Sequence, residues 1–475
     1  MGDGMIKSTR EEKKVSASYA ILNGLASDGG LYIFDEYPTV DIDKIFDFSY
    51  QELAAYILDL LLDDYSYDEI KDVIDKAYDS KFDNESTLAF KTIKNCTVLE
   101  LFHGPTLAFK DMALSVLPGL LALAKKKNNV SDKTIILTAT SGDTGGATLS
   151  GFSSREDMNL IVFYPNNGVS RLQERQMLSF ASDRCHVIAY DGNFDDTQNF
   201  VKEMFKKHKY LSSSNSINIG RLVPQIVYYF YSYVHMIKTN QIKKGEEINI
   251  CVPTGNFGNI LAAYIAYLMG LKVKNFICAS NKNNVLTEFF ETGVYNKNRE
   301  FFKTNSPSMD ILISSNLERL LYLFGGSTSD LMKSLNDTGT YKVSDDVFEK
   351  MKIFKSGYMT EEETVLKIKE VFEKENYLMD PHTAVAYGVY QKLNDDTKTL
   401  VVSTASPYKF TDTIKEALSI ECDDDLLFEE ISKRTNTIIP KVISTYKMNK
   451  KNVWLKEDVY ENFEKLIKEL GYDKD

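Results

Sequence analysis

One lysine stands in a setting that favours chemistry. Lys110 lies at the end of a loop, residues 103–111, and at the start of a strongly apolar segment predicted to be a single helix over 112–123. The helix dipole and the apolar neighbours both disfavour a cation there, which lowers the pKa of the amine and makes it a better nucleophile. The alternative stays open that Lys110 extends to solvent or pairs with the adjacent Asp111.

Two further loops each follow an apolar segment and precede a predicted helix. Residues 141–146 read Ser-Gly-Asp-Thr-Gly-Gly, and residues 255–259 read Gly-Asn-Phe-Gly-Asn. Backbone N–H groups at a helix start bind anions, and glycines let the backbone wrap around one. Taken alone, the first loop could equally be a capped turn. The second predicts a phosphate site, although neither the Rossmann nor the Walker glycine pattern occurs.

These loops can form one site only if the fold ends several strands at the same edge of a sheet. Seven short apolar runs are followed by glycine, serine or another turn residue and then by a helical pattern, which predicts an α/β fold with parallel strands covered on both faces. The runs are residues 97–102, 134–140, 160–164, 185–190, 248–253, 275–279 and 400–403. In such folds ligands bind at the carboxyl ends of the strands.

The segments outside these runs are predicted to support the sheet. The N-terminal part looks mostly helical, with periodic apolar residues over 50–62 and 68–78. Two polar segments, residues 292–310 and 325–362, are predicted to be excursions from the sheet. Residues 459–470 have the apolar stripe of an amphipathic helix.

Composition narrows the class of protein. The chain has 475 residues and a formal net charge of −12, whereas nucleic-acid binding needs clustered positive charge. No apolar stretch is long enough to cross a membrane, and the first residues lack the apolar core of a signal peptide. The five cysteines are far apart, which indicates neither a disulfide framework nor a metal site. We expect a cytoplasmic protein without nucleic-acid or membrane partners.

A reactive lysine and a phosphate cradle on one sheet suggest pyridoxal 5′-phosphate, a cofactor that needs a Schiff-base lysine and an anchored phosphate. The chain also resembles the threonine synthase family, over about residues 6–415. The most specific match is the run Phe-His-Gly-Pro-Thr-Leu-Ala-Phe-Lys-Asp at 102–111. Further matches, in the expected order, are residues 8–10, 24–26, 28–32, 138–145, 173–177, 225–231, 252–258, 306–312 and 380–385.

The resemblance implies a fold and a reaction. The fold is that of a fold type II pyridoxal-phosphate enzyme, with two parallel-sheet α/β domains and an N-terminal helical segment. The reaction converts O-phospho-L-homoserine and water to L-threonine and phosphate, the last step of threonine biosynthesis. The expected divisions are a helical segment over 1–93, a cofactor domain over 94–130 and 210–475, and a smaller mobile domain over 131–209. The oligomeric state does not follow from the sequence.

The resemblance also implies a role for each site residue. Lys110 would be the catalytic residue and would hold the cofactor as a Schiff base. Thr404 would lie against the pyridine nitrogen and leave it largely neutral. The cofactor phosphate would be bound by Gly255, Asn256, Phe257, Gly258 and Asn259. The α-carboxylate of the substrate would be bound by Ser141, Gly142, Asp143, Thr144 and Gly145.

The substrate's phosphate is where the chain departs most from the family. Residues 166–168 read Asn-Asn-Gly, where the family often has a lysine and an arginine. A dianionic leaving group needs positive charge already in place, because charge grows on its oxygens as its bond breaks. We expect Ser170, Arg171 and Arg175 to bind it, with both arginines on one helix face. A solvated basic helix face is the alternative.

Other positions carry weaker expectations. Asn259 stands where the family often has aspartate, and Ser406 where histidine is common. His103 and His382 could each contact the cofactor or only shape a loop. The tyrosine-rich stretch over 228–233 is predicted to pack in the core.

Three competing functions stay open. A serine/threonine dehydratase or a cysteine-synthase-like enzyme would share the lysine and the two loops, but not the whole run at 102–111. A relative that makes 2-oxobutyrate from phosphohomoserine would keep that run. A non-catalytic protein that binds phosphate or the cofactor would lack the visible absorbance of a Schiff base.

Overall fold

The computed structural model describes residues 5–83, 87–131, 134–192, 194–208, 210–447 and 449–472, so residues 1–4 of the predicted N-terminal segment lie outside it. The strands, in chain order, are β1 (Ile6–Ser8), β2 (Lys14–Val15), β3 (Tyr32–Phe34), β4 (Ala89–Ile93), β5 (Cys96–Glu100), β6 (Thr134–Ala139), β7 (Met158–Pro165), β8 (Cys185–Asp191), β9 (Leu211–Ser212), β10 (Ile248–Pro253), β11 (Val273–Ser280), β12 (Val294–Asn296), β13 (Thr340–Lys342), β14 (Phe354–Tyr358), β15 (Thr399–Ser403) and β16 (Asn452–Leu455).

The helices surround these strands. In chain order they are α1 (Ala17–Asn23), α2 (Ile42–Ile45), α3 (Tyr50–Leu61), α4 (Tyr67–Ala77), α5 (Asp111–Leu114), α6 (Leu117–Lys127), α7 (Asp143–Phe152), α8 (Arg171–Leu178), α9 (Phe194–Lys207), α10 (Ile219–Lys238), α11 (Gly258–Leu268), α12 (Val285–Thr292), α13 (Leu317–Gly325), α14 (Ser329–Thr338), α15 (Asp345–Met351), α16 (Glu361–Glu375), α17 (Pro381–Leu393), α18 (Thr411–Ala417), α19 (Leu427–Thr435) and α20 (Val459–Glu469). Short 3-10 turns occupy Pro307–Met309, Pro407–Lys409, Asp424–Leu426 and Lys441–Thr445.

The larger sheet gathers three of the predicted site loops. Its six strands lie in the order β14-β11-β10-β15-β5-β4, and all neighbours are parallel except β4, which is antiparallel to β5. Because β10, β15 and β5 are adjacent and parallel, the loops that follow them leave the same edge of the sheet. Those loops contain residues 255–259, Thr404 and Lys110.

The second sheet carries the remaining predicted loop. Its five strands lie in the order β16-β8-β7-β6-β9 and are parallel throughout. The loop of residues 141–146 follows β6 and opens α7. One hydrophobic cluster contains Leu160 of β7, Ile250 of β10 and most of the buried helix α10, so the two sheets share a continuous core.

The structure corrects four expectations. The helix predicted over 112–123 is broken into α5 and α6, because Pro118 lacks the N–H that would continue it. Strand β14 lies inside the segment 325–362 that was expected to leave the sheet, and it forms the sheet's edge instead. Strand β16 pairs with β8, although 210–475 was assigned to the cofactor domain. Strands also occur in the N-terminal segment, where β1, β2 and β3 form a small antiparallel sheet.

These differences share a physical cause. Edge strands such as β14 and β16 are short and partly exposed, so they lack the continuous apolar run that marks a central parallel strand. All seven predicted central strands are present, as are the helices predicted near 50–62, 68–78 and 459–470. The domain division is otherwise untested and stays a prediction.

Candidate active site

The loop that carries Lys110 is fastened to the loop that carries Thr404. The backbone N–H of Phe109 donates to the carbonyl oxygen of Thr404 at 2.8 Å, and the N–H of Ser406 donates to that of Leu107 at 3.0 Å. Since these loops follow neighbouring strands, the contacts continue the sheet beyond its edge. Lys110 is thereby held at a defined place beside Thr404.

Asp111 braces the same loop rather than pairing with Lys110. Its carboxylate accepts hydrogen bonds from the N–H of Thr106 at 2.8 Å and from the hydroxyl of Thr106 at 2.5 Å. Gly104 packs so tightly against it that a Cβ there would lie 2.6 Å from a carboxylate oxygen of Asp111. Burial raises the pKa of Asp111 to about 6, against the lowering effect of these bonds. The open alternative of a Lys110–Asp111 pair is therefore not the arrangement found.

Lys110 has the perturbed amine that its sequence context predicts. Its side chain is 13% exposed, and Nζ lies 3.8 Å from Oδ2 of Asp143. The pKa of Lys110 is lowered to about 8, mainly by burial and also by the nearby charges of Arg221 and Lys409, while Asp143 opposes the shift. A lysine with this pKa is partly neutral near physiological pH, so it can act as a nucleophile and move a proton.

One cavity of about 270 Å³ brings most of the predicted site residues together. The predicted residues that line it are Lys110, Ser141, Thr144, Gly255, Asn256, Phe257, Gly258, Asn259 and Thr404. Gly142, Asp143 and Gly145 are buried within the loop behind Ser141 and Thr144. One space is therefore surrounded by Lys110, the two anion-binding loops and the loop of Thr404. These segments lie far apart in the sequence.

The loop of residues 255–259 has room for an anionic group. Phe257 adopts a left-handed conformation with φ of 64°, which turns the chain into α11 at Gly258. A Cβ on Gly258 would find its nearest atoms at 3.6 Å, on the side-chain amide of Asn316, and at 3.9 Å, on that of Gln225. Gly258 is thus in ordinary contact range of two N–H donors without crowding, as a phosphate cradle requires.

Asn259 adds an unused donor to this loop. Its Oδ1 accepts hydrogen bonds from the hydroxyls of Tyr228 and Tyr229, at 2.7 and 2.5 Å. Its buried Nδ2 has no partner among the described residues. The tyrosine-rich stretch is buried as predicted, and it also orients Asn259. The neutral amide therefore presents an N–H group where the family often has a carboxylate, and the loop fits a phosphate-bearing cofactor.

Asp143 is the centre of an ion network that the sequence did not reveal. Nζ of Lys409 lies 2.6 Å from Oδ1 of Asp143, and Nε2 of Gln173 donates to the same oxygen at 3.0 Å. Nζ of Lys409 also donates to the carbonyl oxygen of Thr106 at 2.8 Å, in the loop before Lys110. Burial alone raises the pKa of Asp143, but the charges of Lys409 and Lys110 outweigh it and hold that pKa well below its usual range.

His382 joins the same network from the other side of the cavity. Its Nδ1 lies 2.7 Å from Oδ2 of Asp380, and its Nε2 accepts a hydrogen bond from the N–H of Ser308 at 3.2 Å. The hydroxyl of Ser308 in turn donates to Asp143 at 3.1 Å. These contacts suit a neutral imidazole that donates from Nδ1. His103, by contrast, pairs with Glu100 at 2.8 Å and does not line the cavity.

The residues predicted for the substrate's phosphate lie elsewhere. Ser170, Arg171 and Arg175 line a second cavity of about 880 Å³ and are not among the residues of the Lys110 cavity. Arg171 is 79% exposed and lies 3.6 Å from Asp425, and Nε of Arg175 donates to the carbonyl oxygen of Tyr446 at 3.0 Å. Ser170 caps α8. In this conformation the structure does not bring the three to Lys110.

Two buried cations near Lys110, Arg221 and Lys409, were not predicted from the sequence. Arg221 lines the Lys110 cavity from the first turn of α10, and Lys409 is fully buried beside Asp143. Each stands among apolar neighbours, Leu222 and Val223 in one case and Tyr408 and Phe410 in the other. A charge within an apolar run breaks the local pattern, and that signal could have identified both.

The described residues contain no group of three or more histidine, cysteine, aspartate or glutamate side chains placed to bind a metal ion. None of the helices among them is both long enough and apolar enough to span a membrane.

The chain matches three family descriptions. Residues 6–78 match "Threonine synthase N terminus", residues 96–405 match "Pyridoxal-phosphate dependent enzyme" and residues 383–441 match "Threonine synthase, C-terminal". Together they include every strand of the two larger sheets except β4 and β16, and they include the Lys409 turn.

Individual proteins agree with these matches. Threonine synthase of Schizosaccharomyces pombe is 37% identical over 85% of this chain and 87% of its own length. Human threonine synthase-like 1 is 36% identical over 86% of this chain but only 59% of its own length. The crystal structure of pyridoxal-phosphate-bound threonine synthase from Brucella melitensis superposes with a TM-score of 0.85, at 34% identity over 96% of this chain and 98% of the other. The resemblance seen in the sequence motifs is confirmed, and the chain belongs to the threonine synthase family of pyridoxal-phosphate-dependent enzymes.

Proposed function

We propose that this protein converts O-phospho-L-homoserine and water to L-threonine and phosphate. The observation that carries the proposal is the single cavity in which Lys110 meets the loops of residues 141–145 and 255–259 and Thr404. Membership of the family supports the reaction class, and the cavity supports the assignment of the residues. The cytoplasmic location expected from composition stays a prediction.

The cofactor residues follow from this cavity. Nζ of Lys110 would bind pyridoxal phosphate covalently, since its lowered pKa favours the neutral amine. The loop from Gly255 to Asn259 would hold the phosphate group, and the hydroxyl of Thr404 would lie at the ring nitrogen. When bound, the cofactor withdraws electrons from the carbon atoms of the substrate.

The loop of residues 141–145 would bind the α-carboxylate of the substrate. Asp143 and Thr144 begin α7, and the N–H groups of a helix's first turn have no acceptor within the helix. The carboxylate of Asp143 on this loop would by itself repel the α-carboxylate of the substrate. Lys409 neutralises the charge of Asp143, and Gln173 donates a hydrogen bond to the same oxygen, Oδ1. The other oxygen, Oδ2, accepts a hydrogen bond from Ser308 and lies 3.8 Å from Nζ of Lys110. The ion network makes the loop compatible with an anionic substrate.

Two side chains that line the cavity, Lys110 and His382, carry nitrogen atoms of the kind that can transfer a proton. Nζ of Lys110 can accept and return a proton near neutral pH, because its pKa is about 8. The imidazole of His382 is held by Asp380 and Ser308, which use both ring nitrogens. We therefore assign proton transfer to Lys110 and a positioning role to His382.

A second candidate reaction releases 2-oxobutyrate instead of threonine from the same substrate. An enzyme of either kind would keep the run at 102–111, so this motif does not separate the two products. The alternatives of a serine/threonine dehydratase and of a non-catalytic binding protein have no observation in their favour.

Product analysis tests the proposal. Purified holoenzyme is incubated with O-phospho-L-homoserine, and threonine, 2-oxobutyrate and phosphate are measured together. We expect threonine and phosphate in equal amounts, and neither with the Lys110→Ala variant. Release of 2-oxobutyrate with phosphate would assign the second reaction. Turnover of L-serine or L-threonine without turnover of phosphohomoserine would assign a dehydratase.

A further inference from the structure

Arg221 is a buried cation without an anionic partner. It is 2% exposed, and Nη1 donates to the carbonyl oxygen of Ser214. Its Nε has no partner among the described residues, and none of their carboxylates pairs with it. Burial lowers its pKa to about 10, and Tyr228 opposes this shift. An arginine kept charged and uncompensated in a protein interior costs stability, unless something else uses it.

A second buried arginine provides an internal comparison. Arg319 is fully buried, yet its guanidinium donates to the carbonyl oxygens of Tyr32 and Ile217 and to Oδ1 of Asn316. Those contacts join separate segments, so Arg319 has a structural role. Arg221 instead lines the Lys110 cavity and leaves Nε unused. The difference points to a ligand rather than to packing.

The charge around the cavity favours an anionic ligand. The charges of Arg221 and Lys409 lower the pKa of Lys110, while Asp143 lies against Lys409 and Lys110. Asp310, which also lines the cavity, accepts hydrogen bonds from Asn281 and Thr304. Asn215 also lines the cavity. A guanidinium recognises phosphate oxygens by paired N–H donors, and a desolvated guanidinium does so strongly.

The position of Arg221 distinguishes its site from the cofactor's phosphate cradle. The atoms nearest to a Cβ on Gly258 belong to Asn316, Gln225 and Ser216, and none belongs to Arg221. The guanidinium of Arg221 instead contacts Ser214, whose hydroxyl bonds to Thr138 and Thr148 of the second sheet and α7. Arg221 therefore faces the side of the cavity where the substrate loop begins.

We infer that Arg221 binds the phosphate group of the substrate and stabilises it as it leaves. Elimination removes a proton from Cβ, its bonding electrons form the Cβ–Cγ double bond, and phosphate departs with the electron pair of the Cγ–O bond. Negative charge grows on the phosphate during this step, and a cation already in place needs no reorganisation. The inference rests on the proposed function, and it replaces Arg171 and Arg175 in this role.

The test compares two variants of the holoenzyme. Arg221→Met removes the charge at similar volume, a change that is often neutral or stabilising where a buried charge lacks a partner. Arg221→Lys keeps a charge but loses the paired donors. For Arg221→Met we expect kcat/KM for O-phospho-L-homoserine to fall roughly ten- to a hundredfold. Inhibition by inorganic phosphate and the rise in Tm that phosphate produces should also be lost, with partial recovery in Arg221→Lys.

Controls separate this inference from its rivals. Arg434→Met makes the same change at an exposed arginine outside both cavities and should leave every readout unchanged. An unchanged Kd for pyridoxal phosphate in Arg221→Met supports the inference, whereas a raised Kd with intact phosphate inhibition would assign Arg221 to the cofactor. Loss of phosphate inhibition in Arg171→Ala or Arg175→Ala, but not in Arg221→Met, would overturn it. Because phosphate binding is measured without turnover, these outcomes stand even if the wild-type product is not threonine.

Discussion

Two cavities among the described residues place an arginine in opposite settings. Around the 270 Å³ cavity, Lys110 and Arg221 are removed from water, and Arg221 has no acidic partner among the described residues. Along the 880 Å³ cavity, Arg171 is 79% exposed and faces Asp425, itself 90% exposed. An exposed ion pair contributes about 0–1 kcal/mol, whereas charges act far more strongly on one another in a low-dielectric interior. An uncompensated buried cation therefore marks an anion site better than the number of basic residues does.

The Lys110→Ala variant should reduce the activity of the buried cavity more than any other change. We expect it to abolish turnover and the visible absorbance of the bound cofactor, since loss of proton transfer alone costs roughly 10²–10⁴-fold. Circular dichroism should match the wild type, because the hydrogen bonds that Lys110 makes among the described residues are those of its backbone, which the substitution keeps. A cofactor that borohydride still traps covalently in this variant would show that another amine holds it.

The Lys409→Met variant tests whether the charges of the buried cavity depend on one another. It leaves the carboxylate of Asp143 buried without its partner at 2.6 Å, so we expect the free energy of unfolding to fall by about 3–5 kcal/mol. Urea denaturation measures this change. Lys441→Met is the matched control, because Lys441 is exposed and should change stability by less than about 0.5 kcal/mol.

The double variant Asp143→Asn/Lys409→Met completes this test. Removing both charges should restore part of the lost stability, because no unpaired carboxylate then remains. Equal losses in the single and double variants would mean that Lys409 acts through packing and not through Asp143.

Gly258→Val separates the two phosphate sites proposed for the buried cavity. Its side chain should fill the open space beside the loop of residues 255–259 and raise the Kd for pyridoxal phosphate at least about tenfold, equivalent to about 1.4 kcal/mol. Gly258→Ala should have a smaller effect, because a Cβ there meets only ordinary contacts. Fluorescence titration of the apoprotein measures both values. Unchanged cofactor affinity with a raised KM for phosphohomoserine would exchange the roles of this loop and Arg221.

The pH dependence of cofactor capture tests the buried lysine directly. Lys110 has a pKa of about 8, below the ordinary 10.5, so its neutral form increases as pH rises through 8. The rate at which apoprotein binds pyridoxal phosphate should rise about fivefold between pH 7 and pH 8 and level off above pH 9. Nα-acetyl-lysine in solution is the reference, and its rate should keep rising beyond pH 9. If the rate for the protein also kept rising beyond pH 9, the pKa of Lys110 would not be lowered by desolvation.

Arg171→Ala should have the smallest effect of these variants, in contrast to Arg221→Met at the buried cavity. Because its ion pair with Asp425 is exposed, we expect kcat/KM to change by less than about fivefold. The sequence-based assignment of substrate phosphate to Ser170, Arg171 and Arg175 requires a loss of roughly ten- to a hundredfold. Steady-state kinetics with phosphohomoserine decide between the two expectations, with Arg175→Ala as the companion variant.

The sequence by itself determined the central strands, the loops that follow them and the family. Each of these is a local pattern: an apolar run, a glycine-containing turn and a helix start lie within about ten residues of one another. The lowered pKa of Lys110 could be predicted for the same reason, since its apolar neighbours adjoin it in the chain.

Only the tertiary structure decided which charges meet. Lys409 reaches Asp143, Arg221 reaches the Lys110 cavity, and His382 reaches Ser308 across long stretches of chain. Periodicity reports that a residue is buried but not what it faces, so neither the unpartnered Arg221 nor the exposure of Arg171 could be read from their spacing. Strand order in the two sheets decides that instead, because adjacent parallel strands bring the ends of distant segments to one edge.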